Sequence, residues 1–576
     1  MMNPYSIYTP QDRKVAYFSM EVGLQPEIPT YSGGLGILAG DTLKSFADLS
    51  VPAIGVTLLY TKGYFHQEID SDGNQIEVPV EWDPSNFMTL LTEKVTVDIE
   101  GRSVLVQAWV YPVKGITGYT VPVLFLDTNL AANEPEDREI SAYLYGGDER
   151  YRLKQEVVLG FGGAHMLQIL DHDNLQAYHM NEGHAALLTL ELMDRYQQDL
   201  DKVKALCVFT THTPVPAGHD TFDVDTVRDV LRDRFHFEDL GHSNIIDTDG
   251  RLNMTYLALY HAEYINGVAQ KHGEISQKMF PEYRIDAITN GIHIRTWICD
   301  SMAAVLDSHI PNWRQDSYAL RNALDIPRAE IWEAHQAAKR ELFDFIEAQY
   351  GISMDPDVLT IGFARRAAAY KRATLLLRDT ERLKKIASRS GRLQILYSGK
   401  AHPADAEGKA LIQEIHQAGG QLNDDIKMVY IPNYDMYRAK FLVSGVDIWL
   451  NTPMRPLEAS GTSGMKAAAN GVVNFSVLDG WWIEGYIEGV TGWSIGPRRV
   501  KTETGPAIHD VRETSAAYDA LDADDLYGKL EHQILPCFYE DRSRWMNMMA
   551  YNIALNGSFF NTHRMVAQYV LEAYFQ

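Results

Sequence analysis

Cysteine is scarce in this chain: three in 576 residues, Cys207, Cys299 and Cys537, all far apart. That spacing excludes a disulfide framework or a cysteine zinc site and fits a reducing cytoplasm. No apolar run reaches the ~18 residues of a membrane-spanning helix. The opening MMNPYSIYTPQDRK has no apolar core of the signal-peptide kind. Positive charge is in deficit, 52 Lys and Arg against 77 Asp and Glu, a net −25. Nucleic acid and anionic membranes both demand basic surface, so neither is expected as the main partner. Short-period repeats and low-complexity linkers are also missing.

What is present is ordinary globular composition, 45% hydrophobic and 22% charged. Short apolar runs alternate with helix-length segments. Val15 to Met20, Ala53 to Leu59, Leu175 to Met180 and Leu206 to Thr211 read as strands, as do Leu359 to Ala364, Leu393 to Ser398, Ile426 to Ile431 and Val446 to Leu450. Ile37 to Leu49, His184 to Tyr196 and Arg328 to Gln349 read as helices between them. This alternation predicts parallel sheets covered by helices on both faces. The pattern restarts after about residue 295. Two doubly wound domains are expected, 1–295 and 296–576, facing a cleft, with the last helices packing back on the first. The acidic stretch DALDADDLY (519–527) reads as a solvated helix entry. In open parallel sheets ligands bind beyond the carboxyl ends of the strands, and the chemically loaded loops fall there.

Two local absences stand out. From Val358 to Arg378 there is no acid, although Arg365, Arg366, Lys371 and Arg372 crowd together there. An unneutralised cationic cluster points to an anionic ligand, and bidentate arginine suits phosphate. The bland alternative is a solvated helix face. Between Glu458 and Asp479 the single charged residue is Lys466, set among Gly, Ser, Thr and Ala. It is a chance surface lysine, a phosphate-binding lysine, or one that forms an imine with an aldehyde. The imine reading needs a depressed pKa, which a dry pocket near other cations supplies.

Other motifs are less specific. YSGGLGILAGD (31–41) places three glycines before a helix, where bare N–H groups meet anions. Gly34-x-Gly36-x-x-Ala39 also matches the dinucleotide fingerprint, but the loop does not follow its strand directly and lacks the acidic residue about twenty positions on. His184, His212 and His219 lie in polar loops without a tight ligand pattern, so no metal is expected.

EASGTSGMKAAANG (458–471) resembles the pyridoxal phosphate segment of the α-glucan (glycogen, starch, maltodextrin) phosphorylases, in which the lysine carries the cofactor as an imine. YFSMEVGL, YSGGLG, MNEGHAAL, THTPVPAGHD, ITNGIHIRTW and RRAAAYKR resemble further motifs of that family in the same order, from about residue 14 to about residue 485. The resemblance implies a fold of two Rossmann-like domains (GT-B type). It also implies transfer of a non-reducing-end glucosyl unit from an α-1,4-glucan or maltodextrin to inorganic phosphate, giving α-glucose 1-phosphate with retention. In that family the 5′-phosphate of pyridoxal 5′-phosphate, not its ring, exchanges a proton with substrate phosphate.

By motif position, Arg366, Lys371 and the Gly34 N–H would grip substrate phosphate. Lys466, Arg365, Thr462, Ser463 and Tyr434 would hold the cofactor. The His212 carbonyl would face developing positive charge on the sugar. Gly33, Gly36, Asn181, His184, Asn290, Glu458, Ser460 and Gly461 would line the substrate side. A homo-oligomer, dimer or higher, is expected.

The sequence departs from the large animal and plant enzymes at Ala367 to Ala369, at Glu182 where Asp is usual, and at Asp435 where an arginine near the cofactor phosphate is usual, with Arg438 close by as a substitute cation. Their long segment before the first strand has no counterpart, so neither phosphorylation nor nucleotide control is expected. Arg498-Arg499-Val500-Lys501 is the nearest candidate for an effector site. Two other readings compete: a nucleotide-sugar α-glucan glucosyltransferase of the glycogen or starch synthase kind, which needs no imine lysine, and a non-catalytic glucan-binding protein, which needs none of the cations.

Overall fold

The computed structural model describes residues 13–234, 244–422, 425–497 and 511–575. The expected effector cluster at 498–501 lies outside them. The chain forms two compact units, Met1–Phe65 with Pro79–His293 and Thr562–Gln576, and His66–Val78 with Ile294–Asn561. Two segments thus lie outside a simple division at residue 295.

The first unit is built on nine strands: β1 (Val15–Ser19), β2 (Ala53–Leu58), β3 (Thr89–Ile99), β4 (Arg102–Lys114), β5 (Thr120–Asp127), β6 (Ala177–Asn181), β7 (Cys207–Thr210), β8 (Tyr264–Gly267) and β9 (Asp286–Ala287). Their order is β9-β8-β7-β6-β1-β2-β5-β4-β3. The pairs from β9 to β5 are parallel, and β4 and β3 continue the edge antiparallel. Successive residues on a strand face opposite helix layers. Ala16 and Phe18 pack in one core, Val15 and Tyr17 in the other. Burial on both faces explains why these strands read as continuous apolar runs. The sequence did not lead us to expect the antiparallel edge.

The second unit has six parallel strands: β10 (Leu359–Ala364), β11 (Leu393–Ser398), β12 (Lys427–Ile431), β13 (Ile448–Asn451), β14 (Val473–Val477) and β15 (Gly492–Ile495), in the order β12-β11-β10-β13-β14-β15. The expected α/β class with two largely parallel sheets is the one observed.

In each sheet the strand order reverses at one point, between β1 and β6 in the first and between β10 and β13 in the second. Loops leaving such strands diverge and open a crevice at their carboxyl ends. The residues after β1, β6, β10 and β13 are therefore the best placed for chemistry.

Helix Arg328–Tyr350 ends at Gly351, whose φ of 67° is the left-handed cap that glycine adopts freely. It carries Lys339 and His335 into the second core, where both meet Asp447 (2.6 and 2.9 Å). Asp447 also accepts the Thr360 N–H at 2.8 Å, tying the starts of β10 and β13.

The acidic stretch 519–527 is not a solvated helix entry. It lies inside helix Val511–Lys529, and Asp519 and Asp522 each take one Arg372 guanidinium nitrogen at 2.7 Å. Asp522 and Leu526 are fully buried, so this face of the helix is core.

Candidate active site

In the first unit, the glycine loop leads into helix Gly34–Asp48. Its geometry is set by Glu21, just beyond β1. One Glu21 oxygen accepts the Ser32 N–H (2.6 Å) and the Gly33 N–H (3.1 Å). The other accepts the Tyr145 hydroxyl at 3.0 Å. A Cβ on Gly36 would lie 2.7 Å from Glu21, so only glycine lets the carboxylate close in. The chain thus spends two loop N–H groups on its own acid, while the exposed Gly34 lies beyond them.

The loops after β6 and β7 are joined by Glu182. Its carboxylate accepts the N–H groups of Gly183 (3.0 Å) and His212 (2.7 Å) and the Thr213 hydroxyl (3.0 Å). Glu182 sits at φ 80°, a strained conformation for a residue with a Cβ, and these bonds offset it. The His212 Nε2 lies 2.7 Å from the Asn181 Oδ1, so that expected pair is brought together. Burial first, and neighbouring imidazoles second, push His212 down to about 3. The ring is neutral at physiological pH. His184 is held by Asp220 at 2.8 Å, and Asp220 also takes Arg152 at 2.8 Å. His219 stacks on Phe280 instead. Asn290 is 4% exposed, and its Oδ1 is buried without a hydrogen-bond partner.

In the second unit, the loops after β10 and β13 converge on Glu458. Arg365 Nη2 and Lys371 Nζ donate to the same Glu458 oxygen at 2.5 and 2.8 Å. Burial alone would raise the Glu458 carboxyl; the two cations overcome it and hold it at about 2. The cationic cluster is therefore not unneutralised, as its sequence suggests. Glu458 answers Arg365 and Lys371, and the acidic helix answers Arg372. Arg366 is exposed. The Arg365 side chain is 10% exposed, yet its Nε and Nη1 have no hydrogen-bond partner.

Asp479 places Glu458 by accepting its N–H at 2.9 Å. Burial, with the Glu458 charge adding, raises the Asp479 carboxyl to about 7.

Lys466 is 6% exposed on helix Ser463–Ala469, with Nζ 3.8 Å from the Trp297 ring centroid. Asn470 fixes this pairing: its Nδ2 donates to the carbonyls of Trp297 (2.8 Å) and Lys466 (2.9 Å). The Ser463 hydroxyl accepts from the Trp449 indole at 3.1 Å, and the buried Ser460 Oγ has no partner. Gly461 has φ 85°. A Cβ on Gly464 would lie 2.6 Å from Asn474 and 2.8 Å from Trp481.

Tyr434 lies near Arg365 and Asp435, and burial pushes its phenol up. Asp435 caps helix Met436–Gly445 and pairs with Arg438 at 2.6 Å, so the substitute cation is engaged by the very acid it was expected to offset. Lys400, at the end of β11, was missed in the sequence. Its carbonyl accepts the Ala367 N–H at 2.9 Å. Burial, with Arg438 adding and Asp435 opposing, brings its ammonium down to about 8. Glu21, Trp297 and Asp479 were also missed, although Glu21 and Trp297 stand inside motifs already quoted.

Among the described residues one cluster has a metal-like donor set, Asp48, His293 and His563, with ligand atoms within 4.8 Å of one another. It includes none of the histidines considered from sequence. No helix among the described residues is long and apolar enough to cross a membrane.

The second unit is a parallel α/β sheet with cations in the loop after β10 and a buried lysine seated on an indole after β13, the arrangement of an α/β enzyme. Comparison with known proteins agrees. The carbohydrate phosphorylase family model matches residues 25–109 and 155–490. The chain is 40% identical over 626 residues to the maltodextrin phosphorylase of Thermococcus litoralis, covering all of this chain and 72% of that protein. It is 35% identical over 628 residues to the glycogen phosphorylase of Aquifex aeolicus, covering all of this chain and 88% of that one. It is 35% identical over 638 residues to the glycogen phosphorylase of Mycobacterium tuberculosis, covering 97% of this chain and 70% of that one. The chain belongs to the carbohydrate phosphorylase family, glycosyltransferases that generally use pyridoxal phosphate. Its two α/β sheets are consistent with the GT-B-like fold of that family, and the match sets aside the nucleotide-sugar transferase reading.

Proposed function

We propose that this chain phosphorolyses α-1,4-glucans from the non-reducing end, releasing α-glucose 1-phosphate, with pyridoxal 5′-phosphate held on Lys466. The observation that carries the reading is the second unit's cluster: Lys466 is buried on Trp297, and Arg365, in the loop after β10 at the switch point, has Nε and Nη1 buried without a hydrogen-bond partner. These features fit the cofactor. The Trp297 indole suits a planar ring, and Arg365 Nε and Nη1 suit a phosphate, with Thr462, Ser463 and Tyr434 as further contacts. When bound, the cofactor supplies a second phosphate group able to exchange a proton with substrate phosphate.

The remaining chemistry belongs to the chain. Arg366 and Lys371 bind substrate phosphate, with the Gly34 N–H as a further donor, and balance its charge. Glu458 limits the free charge of Lys371 and Arg365 and takes glucosyl hydroxyls together with Ser460 and the Gly461 backbone. Asn290, Asn181 and His184 act on the glucosyl side, with Gly33 and Gly36 shaping the loop. As the glycosidic C1–O bond breaks, a phosphate proton passes to the departing glucan oxygen, and a phosphate oxygen bonds C1. The His212 carbonyl stabilises the positive charge that develops at C1. Its neutral ring adds no charge of its own.

The few cysteines support a cytoplasmic location, and the acidic net charge supports small-molecule and glucan partners rather than nucleic acid or membrane. A homo-oligomer is part of the same proposal. The test is a ladder of malto-oligosaccharides incubated with the holoenzyme and phosphate. Stepwise shortening with equimolar glucose 1-phosphate is expected; free glucose instead, or no shortening, contradicts the reading.

A further inference from the structure

Three consecutive residues, Thr562 to Arg564, grip the loop that carries Asn290. Arg564 Nη2 donates to the Asn290 carbonyl at 3.0 Å. The Thr562 N–H donates to the Ile292 carbonyl at 2.9 Å. His563 Nε2 lies 3.1 Å from the Asp48 Oδ2, the same oxygen that His293 Nε2 approaches at 3.0 Å. Both are hydrogen-bond lengths.

The anchors are themselves fixed. Thr562 Oγ1 meets Ser45 Oγ at 2.6 Å, which ties the segment to helix Gly34–Asp48. The other Asp48 oxygen accepts the Ile116 N–H at 2.7 Å, and the His293 N–H donates to Asp41 at 3.1 Å. Arg564 Nη1 donates to Gln568 one turn on, at 2.6 Å, so the guanidinium is aimed from its own helix, Thr562–Tyr569. All of these residues lie in the first unit.

The loop so gripped holds a polar atom ready for a ligand. The Asn290 N–H is already spent on the Val268 carbonyl at 3.0 Å, while its Oδ1 is buried and unpartnered. A buried acceptor left open is costly, and the cost is recovered when a ligand hydroxyl reaches it. The side chain's place depends on the backbone at 290, and Arg564 holds that backbone.

We propose that Arg564 is a positioning residue for glucosyl binding: it fixes the Asn290 backbone so that Oδ1 is presented to a sugar hydroxyl, with His563 and Asp48 locking the far end of the loop. This rests on the reading of Asn290 as a glucosyl contact. In this role Arg564 acts through the Asn290 backbone.

The experiment is a double-mutant cycle on the holoenzyme, with Asn290→Ala, Arg564→Ala and the pair, assayed with maltoheptaose and phosphate. Arg564→Ala should lower kcat/KM for the glucan about tenfold, the loss of one charged hydrogen bond. Its pyridoxal phosphate content and phosphate KM should stay unchanged. Guanidinium ion added to Arg564→Ala should restore part of the loss, which a packing defect would not allow. In the pair, Arg564→Ala should add little to Asn290→Ala, because the two act through one contact. If Arg564→Ala fails to fold, Arg564→Lys is read the same way. Full activity of Asn290→Ala would remove the reading of that residue. An impaired Asn290→Ala beside an unimpaired Arg564→Ala, or fully additive losses, would overturn the positioning role alone.

Discussion

The ammonium of Lys466 lies 3.8 Å from the centroid of the Trp297 indole, although 169 positions separate the two in the chain. Asn470 bridges their backbones, so the contact is built in and not a chance of side-chain packing. Trp297→Leu removes the ring but keeps an apolar filler. A desolvated cation–π contact contributes about 2 kcal/mol, and the proposed planar cofactor would lose its wall as well. The expected outcome is roughly thirtyfold weaker pyridoxal phosphate retention, read from cofactor absorbance during dialysis. Unchanged retention would show that the indole serves only the fold.

Glu458 pairs with both Arg365 and Lys371, the cations proposed to meet phosphate. Glu458→Gln keeps the shape and removes the charge. Two effects follow: the cations are freer, so the KM for phosphate falls, and sugar placement is lost, so kcat falls. Each is about ten-fold if one charged hydrogen bond is at stake. Initial rates across a phosphate series separate them. A raised phosphate KM would mean that the ion pairs hold the cations in place rather than restrain them.

Four histidines of the first unit are buried and neutral. Burial, before any other cause, pushes His212 and His179 down to about 3 and His261 and His272 to about 4. In the unfolded chain each titrates near the ordinary value, about 6.5. Between those limits the unfolded state binds more protons than the folded one. Their contribution to stability is therefore complete above about pH 6.5 and lost as pH falls toward 4. The slope is about 1.4 kcal/mol per pH unit for each fully titrating group. Glu458, held at about 2 in the folded chain, adds its own slope once the pH falls to about 4.5 and below, where the unfolded carboxyl takes up a proton. Thermal midpoints at pH 7, 6 and 5 should fall progressively. A midpoint flat across that range would contradict neutral burial.

Lys339 and Asp447 are both fully buried, 2.6 Å apart, with His335 on the second carboxylate oxygen. Asp447→Ala leaves the ammonium uncompensated and strands the Thr360 N–H. The expected loss is about 3–5 kcal/mol, measured from denaturant midpoints. Asp447→Ala paired with Lys339→Met should recover part of it, since no buried charge then remains. A loss below about 1 kcal/mol would show that water reaches the site.

The sequence makes local features of this molecule legible and long-range ones not. The strands were readable because burial on both faces leaves apolar runs such as Val15 to Met20. Lys466 was readable because its surroundings are small and uncharged, and the cations after β10 because no acid stands beside them. Their partners were hidden. Glu458 reaches Arg365 across 93 positions and Asp522 reaches Arg372 across 150. Only the strand order, which reverses between β10 and β13, brings the first pair together. Glu21 stood in a quoted motif, but its hold on the glycine loop depends on a close approach that Gly36 permits and no periodicity signals. The antiparallel edge had a visible sign, the alternation in VTVDI and VLVQAWV about Glu100-Gly101, which was passed over.

The most direct measurement is the phosphate-dependent release of α-glucose 1-phosphate from maltoheptaose by purified wild type and Lys466→Ala, each supplied with excess pyridoxal phosphate and followed by phosphorus NMR. The account predicts a growing α-glucose 1-phosphate signal for the wild type and none for Lys466→Ala, which loses the cofactor's tether and its placement against substrate phosphate. No such signal from cofactor-loaded wild type, or an undiminished one from Lys466→Ala, would contradict it.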